Sequence, residues 1–129
     1  MSKIIFLEVN DLIIINKKVV KDHGGISGVR DLGLLESAAH NPQNLYFYQN
    51  ANFYEIAASY AFSIIANHAF LDGNKRTGFG AMNAFLELNN IILNYNTNEA
   101  VEIMVKIATK KIGFDNTVKW LKKLKKHKK

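Results

Sequence analysis

The feature that most restricts the fold of this chain is a set of apolar residues with helical spacing between positions 53 and 64. They recur at intervals of three and four, which places them on one face of an α-helix. These residues are Phe53, Ile56, Ala57, Tyr60, Ala61 and Ile64. The next helix, predicted over residues 75–89, carries apolar side chains around most of its circumference. A helix of that kind belongs at the centre of a bundle.

Turn and cap residues predict two more helices before this pair. Asn10 is a suitable N-cap for a first helix over residues 11–22, which Gly24 would end. A second helix is predicted over residues 31–40, because Pro42 lacks the backbone N–H that a helix interior requires.

Two further helices follow the central one. The first is capped near Thr97 or Asn98 and runs to about residue 111, and the second is capped by Asp115. With at most a marginal strand at residues 4–9, the sequence predicts an all-α fold of about six helices around a buried central helix. The absence of linkers predicts a single domain over residues 1–121, followed by a lysine-rich tail at residues 122–129.

The net charge of +6 arises from this tail. It carries six of the seventeen Lys and Arg residues, so the remaining eleven equal the eleven Asp and Glu. We therefore expect nucleic-acid binding to be limited to weak, salt-sensitive attraction through the tail. Apolar runs of four residues are too short to span a membrane, and the absence of cysteine excludes a thiol nucleophile and cysteine–zinc sites. A cytoplasmic location is expected.

Potentially reactive side chains are concentrated in one segment, H-A-F-L-D-G-N-K-R at residues 68–76, just where the central helix is predicted to begin. His68 is the side chain able to accept a hydroxyl proton near neutral pH. Asp72 is a candidate Mg²⁺ ligand, since Mg²⁺ favours one or two carboxylates together with substrate phosphates.

The second half of the segment is suited to binding phosphate. Gly73 permits a close backbone approach, and Asn74 can cap the helix or donate its amide to a phosphate oxygen. Lys75 and Arg76 are two cations at the positive end of a helix dipole, a conflict that a bound anion would remove. Base, metal ligand and phosphate clamp are the parts needed for group transfer from a nucleotide to a hydroxyl.

Residues 68–76 resemble the Fic motif, H-x-F-x-(D/E)-G-N-(G/K)-R, in the form found in death-on-curing (Doc) toxins of toxin–antitoxin modules. Residues 24–38 are similar to a second block of that family, G-G-x-x-G-(V/I)-R-D-x-G-L-L-E-S-A. The resemblance implies a compact Fic-type helical bundle. It also implies that His68 is the general base, Asp72 the Mg²⁺ ligand, and Gly73, Asn74, Lys75 and Arg76 the nucleotide phosphate site.

Position 75 distinguishes two reactions within the resemblance. Fic adenylyltransferases usually have glycine there, whereas Doc-type proteins have lysine and bind the nucleotide with its γ-phosphate facing the histidine. The resemblance therefore favours a Ser/Thr protein kinase that uses ATP and phosphorylates elongation factor Tu, which arrests translation. The alternatives are AMP transfer to a hydroxyl and a non-catalytic module that binds nucleotide or antitoxin.

The resemblance also implies a partner. No inhibitory helix of the pattern (S/T)-x-x-x-E-(G/N) is present, so restraint is expected from a small antitoxin whose C-terminal segment occupies a groove on the toxin. Residues 42–51 are predicted to form an aromatic loop or flap. Within it, residues 45–48 belong either to that groove, to a substrate-binding flap or to a core-anchored loop. Arg30 is expected to have a structural role with Asp31, as an ion pair or at the helix start.

Overall fold

The structure, a computed structural model, describes residues 3–126 of the chain. These residues form six helices: α1 (Val9–His23), α2 (Leu32–Gln49), α3 (Phe53–Asn67), α4 (Asn74–Leu88), α5 (Thr97–Ala108) and α6 (Phe114–Lys123). The only strand-like pairings in this range are two isolated antiparallel bridges, Val29 with Phe70 and Leu93 with Lys126. The prediction of an all-α bundle of about six helices is confirmed, and residues 4–8 are an extended lead-in.

Helices α3 and α4 form the centre of the bundle. Helix α3 packs against α2, α4, α5 and α6, while α4 also contacts α1 and α5. The predicted stripe on α3 is fully buried except for Phe53, and α4 buries Ala81, Met82, Phe85 and Leu86. Gly78 lets the two helices approach closely, because a Cβ at this position would lie 2.8 Å from Ile65 Cγ1.

Helix α2 is longer than predicted. It continues through the buried Pro42 to Gln49, so the predicted end at residue 40 and the predicted loop over residues 42–51 are wrong. The turn after the proline is stabilised by packing, since the Tyr46 ring lies 5.7 Å from that of Phe6. Burial of Pro42 and partial burial of Tyr46 outweigh the backbone hydrogen bond that proline cannot make.

Cap positions differ from the predictions by one or two residues. Glu8 rather than Asn10 is the N-cap of α1, and its backbone N–H donates to Asp11 Oδ2 at 2.7 Å. The N-cap of α5 is Asn96, and that of α6 is Gly113, with Asp115 in the first turn.

The lysine-rich tail starts inside α6 and then folds back onto the bundle. Asn94 N–H donates to Lys125 O at 2.9 Å, next to the bridge between Leu93 and Lys126. The remainder of the predicted tail, residues 127–129, lies outside the described residues. Within the described range, every helix is too short or too polar to cross a lipid bilayer.

Candidate active site

The loop between the two central helices carries the candidate catalytic residues. Helix α3 ends at His68, which is exposed and has a left-handed backbone conformation with φ 47°. Helix α4 begins after Gly73, which is also left-handed with φ 76°. A non-glycine residue in this region costs on the order of 1–2 kcal/mol, so the conformation of His68 requires support from its surroundings.

Arg30 supplies that support. Its Nε donates to the carbonyl oxygen of His68 at 2.6 Å, and its Nη2 donates to that of Asn67 at 2.8 Å. Its backbone N–H donates to Ala69 O at 2.9 Å. Arg30 thus binds three consecutive carbonyl groups where α3 ends, at a point where such groups lack helical partners. Among the described residues Arg30 and Asp31 form no ion pair, so that alternative is wrong. Asp31 instead forms the predicted helix start, because it caps α2 by accepting from Leu34 N–H.

The glycine-rich segment before Arg30 lies alongside the loop. Leu71 N–H donates to Gly28 O at 3.0 Å, and Ile26 N–H donates to Asp72 Oδ2 at 2.7 Å. A Cβ on Gly25, whose φ is 112°, would lie 3.0 Å from Asp72 Cβ. The two sequence blocks are therefore one structural unit, in which residues 25–30 hold the backbone and carboxylate of the loop.

Two buried asparagines fix the other side of the loop. Asn16 on α1 is 1% exposed, and its Nδ2 donates to Asp72 O at 2.9 Å and to Thr77 Oγ1 at 3.1 Å. Asn74 accepts from Phe70 N–H and donates to Phe70 O, both at 3.0 Å. The Asn74 side chain is therefore occupied within the loop, and Gly73 rather than Asn74 is the N-cap of α4.

The start of α4 presents unsatisfied donors and two cations. The first backbone hydrogen bond of α4 runs from Thr77 N–H to Gly73 O at 2.8 Å. The N–H groups of Asn74, Lys75 and Arg76 therefore have no acceptor within the helix. Both cationic side chains are exposed, and among residues 3–126 the only ion pairs are Lys18–Asp22 and Lys106–Glu102. This combination of free N–H groups and unpaired positive charge suits an anion.

The surroundings of Asp72 fit a magnesium ion that also binds nucleotide phosphates. The carboxylate is exposed, and only its Oδ2 has a hydrogen-bond partner in the described chain, which leaves Oδ1 available as a ligand. No cluster of three or more potential ligands occurs among the described residues. One carboxylate with phosphate oxygens and water is a common Mg²⁺ arrangement, whereas a site built from protein ligands alone is not available here.

A cleft of about 540 Å³ extends from the two cations along α1, α4 and α5. Its lining is mainly apolar, with Val19, Phe79, Tyr95, Ala100, Val101, Met104 and Val105, and with Lys75, Arg76 and His23 among its polar members. Neither His68 nor Asp72 lines it. A largely apolar cavity of this size beside a phosphate site has the dimensions and chemistry to hold a nucleoside.

Tyr95 in the wall of this cleft has an unusual environment. Its hydroxyl is buried and has no hydrogen-bond partner in the described chain, and its ring lies 5.0 Å from that of Phe79. Burial, with a smaller contribution from the negative charge of Glu87, raises the pKa of Tyr95 well above its ordinary value. The hydroxyl is therefore neutral at physiological pH.

The structure brings together the site residues that the sequence predicts. His68, Asp72 and Gly73 lie in one loop, and Lys75 and Arg76 follow on the first turn of α4. The supporting residue Asn16 was not predicted, although a polar residue at i+4 from Leu12 on a buried helix face is a signal that could have identified it. The cleft residues on α5 had no such signal, because apolar helix faces usually form core.

Two comparisons with known proteins agree with this geometry. Residues 6–86 match the family model described as Fic/DOC family. The chain is also 35% identical over 97 residues to a protein named Toxin Doc from Mycolicibacterium smegmatis, an alignment that covers 72% of this chain and 75% of that protein. Because the family model spans more than half of its residues, this chain belongs to the Fic/DOC family.

Proposed function

We propose that this chain is the toxin of a toxin–antitoxin module and that it transfers the γ-phosphate of ATP to a Ser or Thr hydroxyl of a translation factor. The observation that carries the proposal is the first turn of α4, where free backbone N–H groups meet the unpaired cations Lys75 and Arg76, one loop away from His68. The similarity to a protein named Toxin Doc supports the toxin role.

In the proposed reaction His68 accepts the proton of the target hydroxyl while the hydroxyl oxygen forms a bond to the γ-phosphorus. The bond between the γ-phosphorus and the β,γ-bridging oxygen breaks, and ADP leaves. The N–H groups at the start of α4, together with Lys75 and Arg76, stabilise charge on the phosphate oxygens. Asp72 would hold Mg²⁺ through Oδ1, and the ion would neutralise phosphate charge. Lysine at position 75, as in Doc-type proteins, favours phosphoryl over adenylyl transfer.

Adenylyl transfer is the alternative, and the cleft beside Lys75 and Arg76 is the observation that favours it. A nucleoside bound in this cleft would bring its α-phosphate toward Lys75 and Arg76, which line the cleft at the first turn of α4. Parallel incubations of elongation factor Tu with α-labelled and γ-labelled ATP separate the two reactions. We expect label only from the γ position, in the presence of Mg²⁺ and not with His68→Ala. Label from the α position would overturn the kinase assignment in favour of AMP transfer.

For the antitoxin we propose a groove between α1 and α4 rather than residues 45–48. The groove has a volume of about 380 Å³ and is lined by Leu7, Asp11, Ile14, Ile15, Ala84, Glu87 and Leu88. Ile14 is 64% exposed, and the two carboxylates add negative charge. This suits an amphipathic helix with apolar and basic side chains.

Two variants locate the antitoxin site. Ile14→Glu is expected to prevent neutralisation by the antitoxin while leaving group transfer intact. The matched control is Tyr48→Glu, at an aromatic residue that is 83% exposed on the last turn of α2. We expect this control to remain neutralised. The reverse result would place the antitoxin on residues 45–48.

A further inference from the structure

We infer that Arg30 is a positioning residue for catalysis, which acts by holding the backbone of His68 in its left-handed conformation. The inference rests on the proposed role of His68 as the base, but not on which group is transferred. It assigns to the glycine-rich segment at residues 24–30 a part in the reaction, in addition to its part in the fold.

Arg30 fixes the backbone around His68 through three hydrogen bonds. The guanidinium of Arg30 bonds the carbonyl oxygens of Asn67 and His68 at 2.8 and 2.6 Å, and the backbone of Arg30 bonds that of Ala69. These three groups are the backbone on either side of the His68 Cα. Rotation of φ or ψ at His68 would therefore displace at least one of the three acceptors. No other side chain in the described range bonds the backbone of residues 67–69.

Arg30 holds His68 in a backbone conformation that is uncommon for a residue other than glycine. His68 is one of four such residues with positive φ in the described chain, and the others, Asn50, Asn90 and Lys110, also lie within two residues of a helix end. This conformation costs free energy for any residue with a Cβ, even where histidine and asparagine adopt it more often than other residues. The direction of the imidazole depends on this backbone angle, and errors of position in a catalytic group cost rate steeply. A planar fork with several fixed donors can bind adjacent carbonyl groups in one orientation, which the flexible ammonium of lysine cannot.

Three variants test the inference. Arg30→Gln is expected to lower kcat by about 10-fold to 100-fold while KM for ATP stays within about twofold, since the start of α4 is unchanged. Arg30→Lys should recover part of the loss, because it keeps a cationic donor without the fork. The control is Asn89→Ala, which removes a comparable side-chain tether, from Asn89 to Ile5 and Phe85, at the far end of α4. It should lower thermal stability and leave kcat per folded molecule unchanged.

Amide hydrogen exchange without nucleotide gives a readout that does not depend on activity. Arg30→Gln should speed exchange at residues 68–72 by at least about tenfold relative to α2 and α4, whereas Asn89→Ala should not. An equal kcat in Arg30→Gln and wild type would overturn the inference. So would a loss of kcat that follows the loss of thermal stability alone in both Arg30→Gln and Asn89→Ala. Failure of the wild type to transfer a group to any protein would overturn the proposed function. Unchanged hydrogen exchange at residues 68–72 in Arg30→Gln would separately overturn the role of Arg30.

Discussion

Two tyrosine hydroxyls, one on the buried Tyr60 and one buried on the half-buried Tyr95, differ in what they contribute to stability. The Tyr60 hydroxyl accepts from Leu7 N–H at 2.8 Å and donates to Leu7 O at 3.2 Å. The Tyr95 hydroxyl has no partner among the described residues. A buried hydrogen bond contributes to stability mainly because its loss strands the remaining group, whereas an unpaired hydroxyl contributes nothing and costs desolvation.

We therefore expect opposite results from the same chemical change. Tyr60→Phe should lower the free energy of unfolding by about 1–3 kcal/mol, because it leaves both polar groups of Leu7 unpaired in the core. Tyr95→Phe should leave stability unchanged or raise it slightly. Urea unfolding followed by circular dichroism measures both. A loss from Tyr95→Phe as large as that from Tyr60→Phe would mean that the Tyr95 hydroxyl has a partner after all.

A single substitution at Lys75 tests its place in the phosphate site. Lys75→Gly removes an exposed cation at the first turn of α4, and a hydrogen bond from a charged donor to phosphate contributes about 1.5–3 kcal/mol. We expect weaker phosphoryl transfer, measured as kcat/KM with γ-labelled ATP. The control Lys18→Gly removes an exposed cation from α1 and should have little effect. Equal activity of the two variants would remove Lys75 from the phosphate site.

At the scale of elements, the central pair of helices depends on close approach at Gly78. A Cβ at this position would lie 2.8 and 2.9 Å from two side-chain carbons of Ile65, which is itself buried. Gly33, in the first turn of α2, has no atom closer than 3.4 Å to such a Cβ. Helix α4 therefore has no room for a larger residue at Gly78, whereas α2 has room for one at Gly33.

This contrast predicts opposite effects of adding a methyl group. Gly78→Ala should destabilise the protein by about 1–3 kcal/mol through overpacking, although alanine is the better helix former. Gly33→Ala should stabilise it by about 0.5–1 kcal/mol by reducing the entropy of the unfolded chain. Thermal unfolding of both variants measures the effects. Stabilisation by Gly78→Ala would contradict the close contact between α3 and α4.

The positions of helices were predictable from the sequence where the apolar periodicity was strong. They were less predictable where the end of a helix was inferred from a single residue. The apolar stripe on α3 and the apolar character of α4 identified both central helices. The predicted start of α4, at residue 75, is one residue from the observed start. Pro42 led to the wrong end of α2, because local propensity does not include the packing of Tyr46 on Phe6. Arg30 bonds backbone groups 37 and 38 residues away, and Asn74 bonds the backbone of Phe70 within the same loop. A sequence pattern does not specify bonds from a side chain to the backbone, so these roles required the structure.

At the scale of the whole molecule, charge is distributed unevenly. Lys119, Lys122 and Lys123 are exposed on α6, and Lys125 and Lys126 follow in the segment that folds back to Leu93 and Asn94. The positive end of the chain is therefore a surface of the bundle as far as residue 126.

We predict that this surface gives only weak binding to RNA. Replacing Lys119, Lys122, Lys123, Lys125 and Lys126 with glutamine should remove most of any RNA affinity measured at low salt, and raising salt should abolish it in the wild type. Group transfer should not change. Fluorescence anisotropy with labelled RNA measures the affinity. Affinity that persists at physiological salt, or that survives the substitutions, would contradict the prediction.

We propose above all that His68 serves a reaction in which a protein hydroxyl receives the γ-phosphate of ATP. Its most direct test is the intact mass of elongation factor Tu after incubation with ATP, Mg²⁺ and this chain, followed by peptide mapping. We expect the wild type to add one phosphoryl group at a threonine or serine and His68→Ala to add none. Addition of AMP, or equal phosphorylation by His68→Ala, would overturn the proposed reaction.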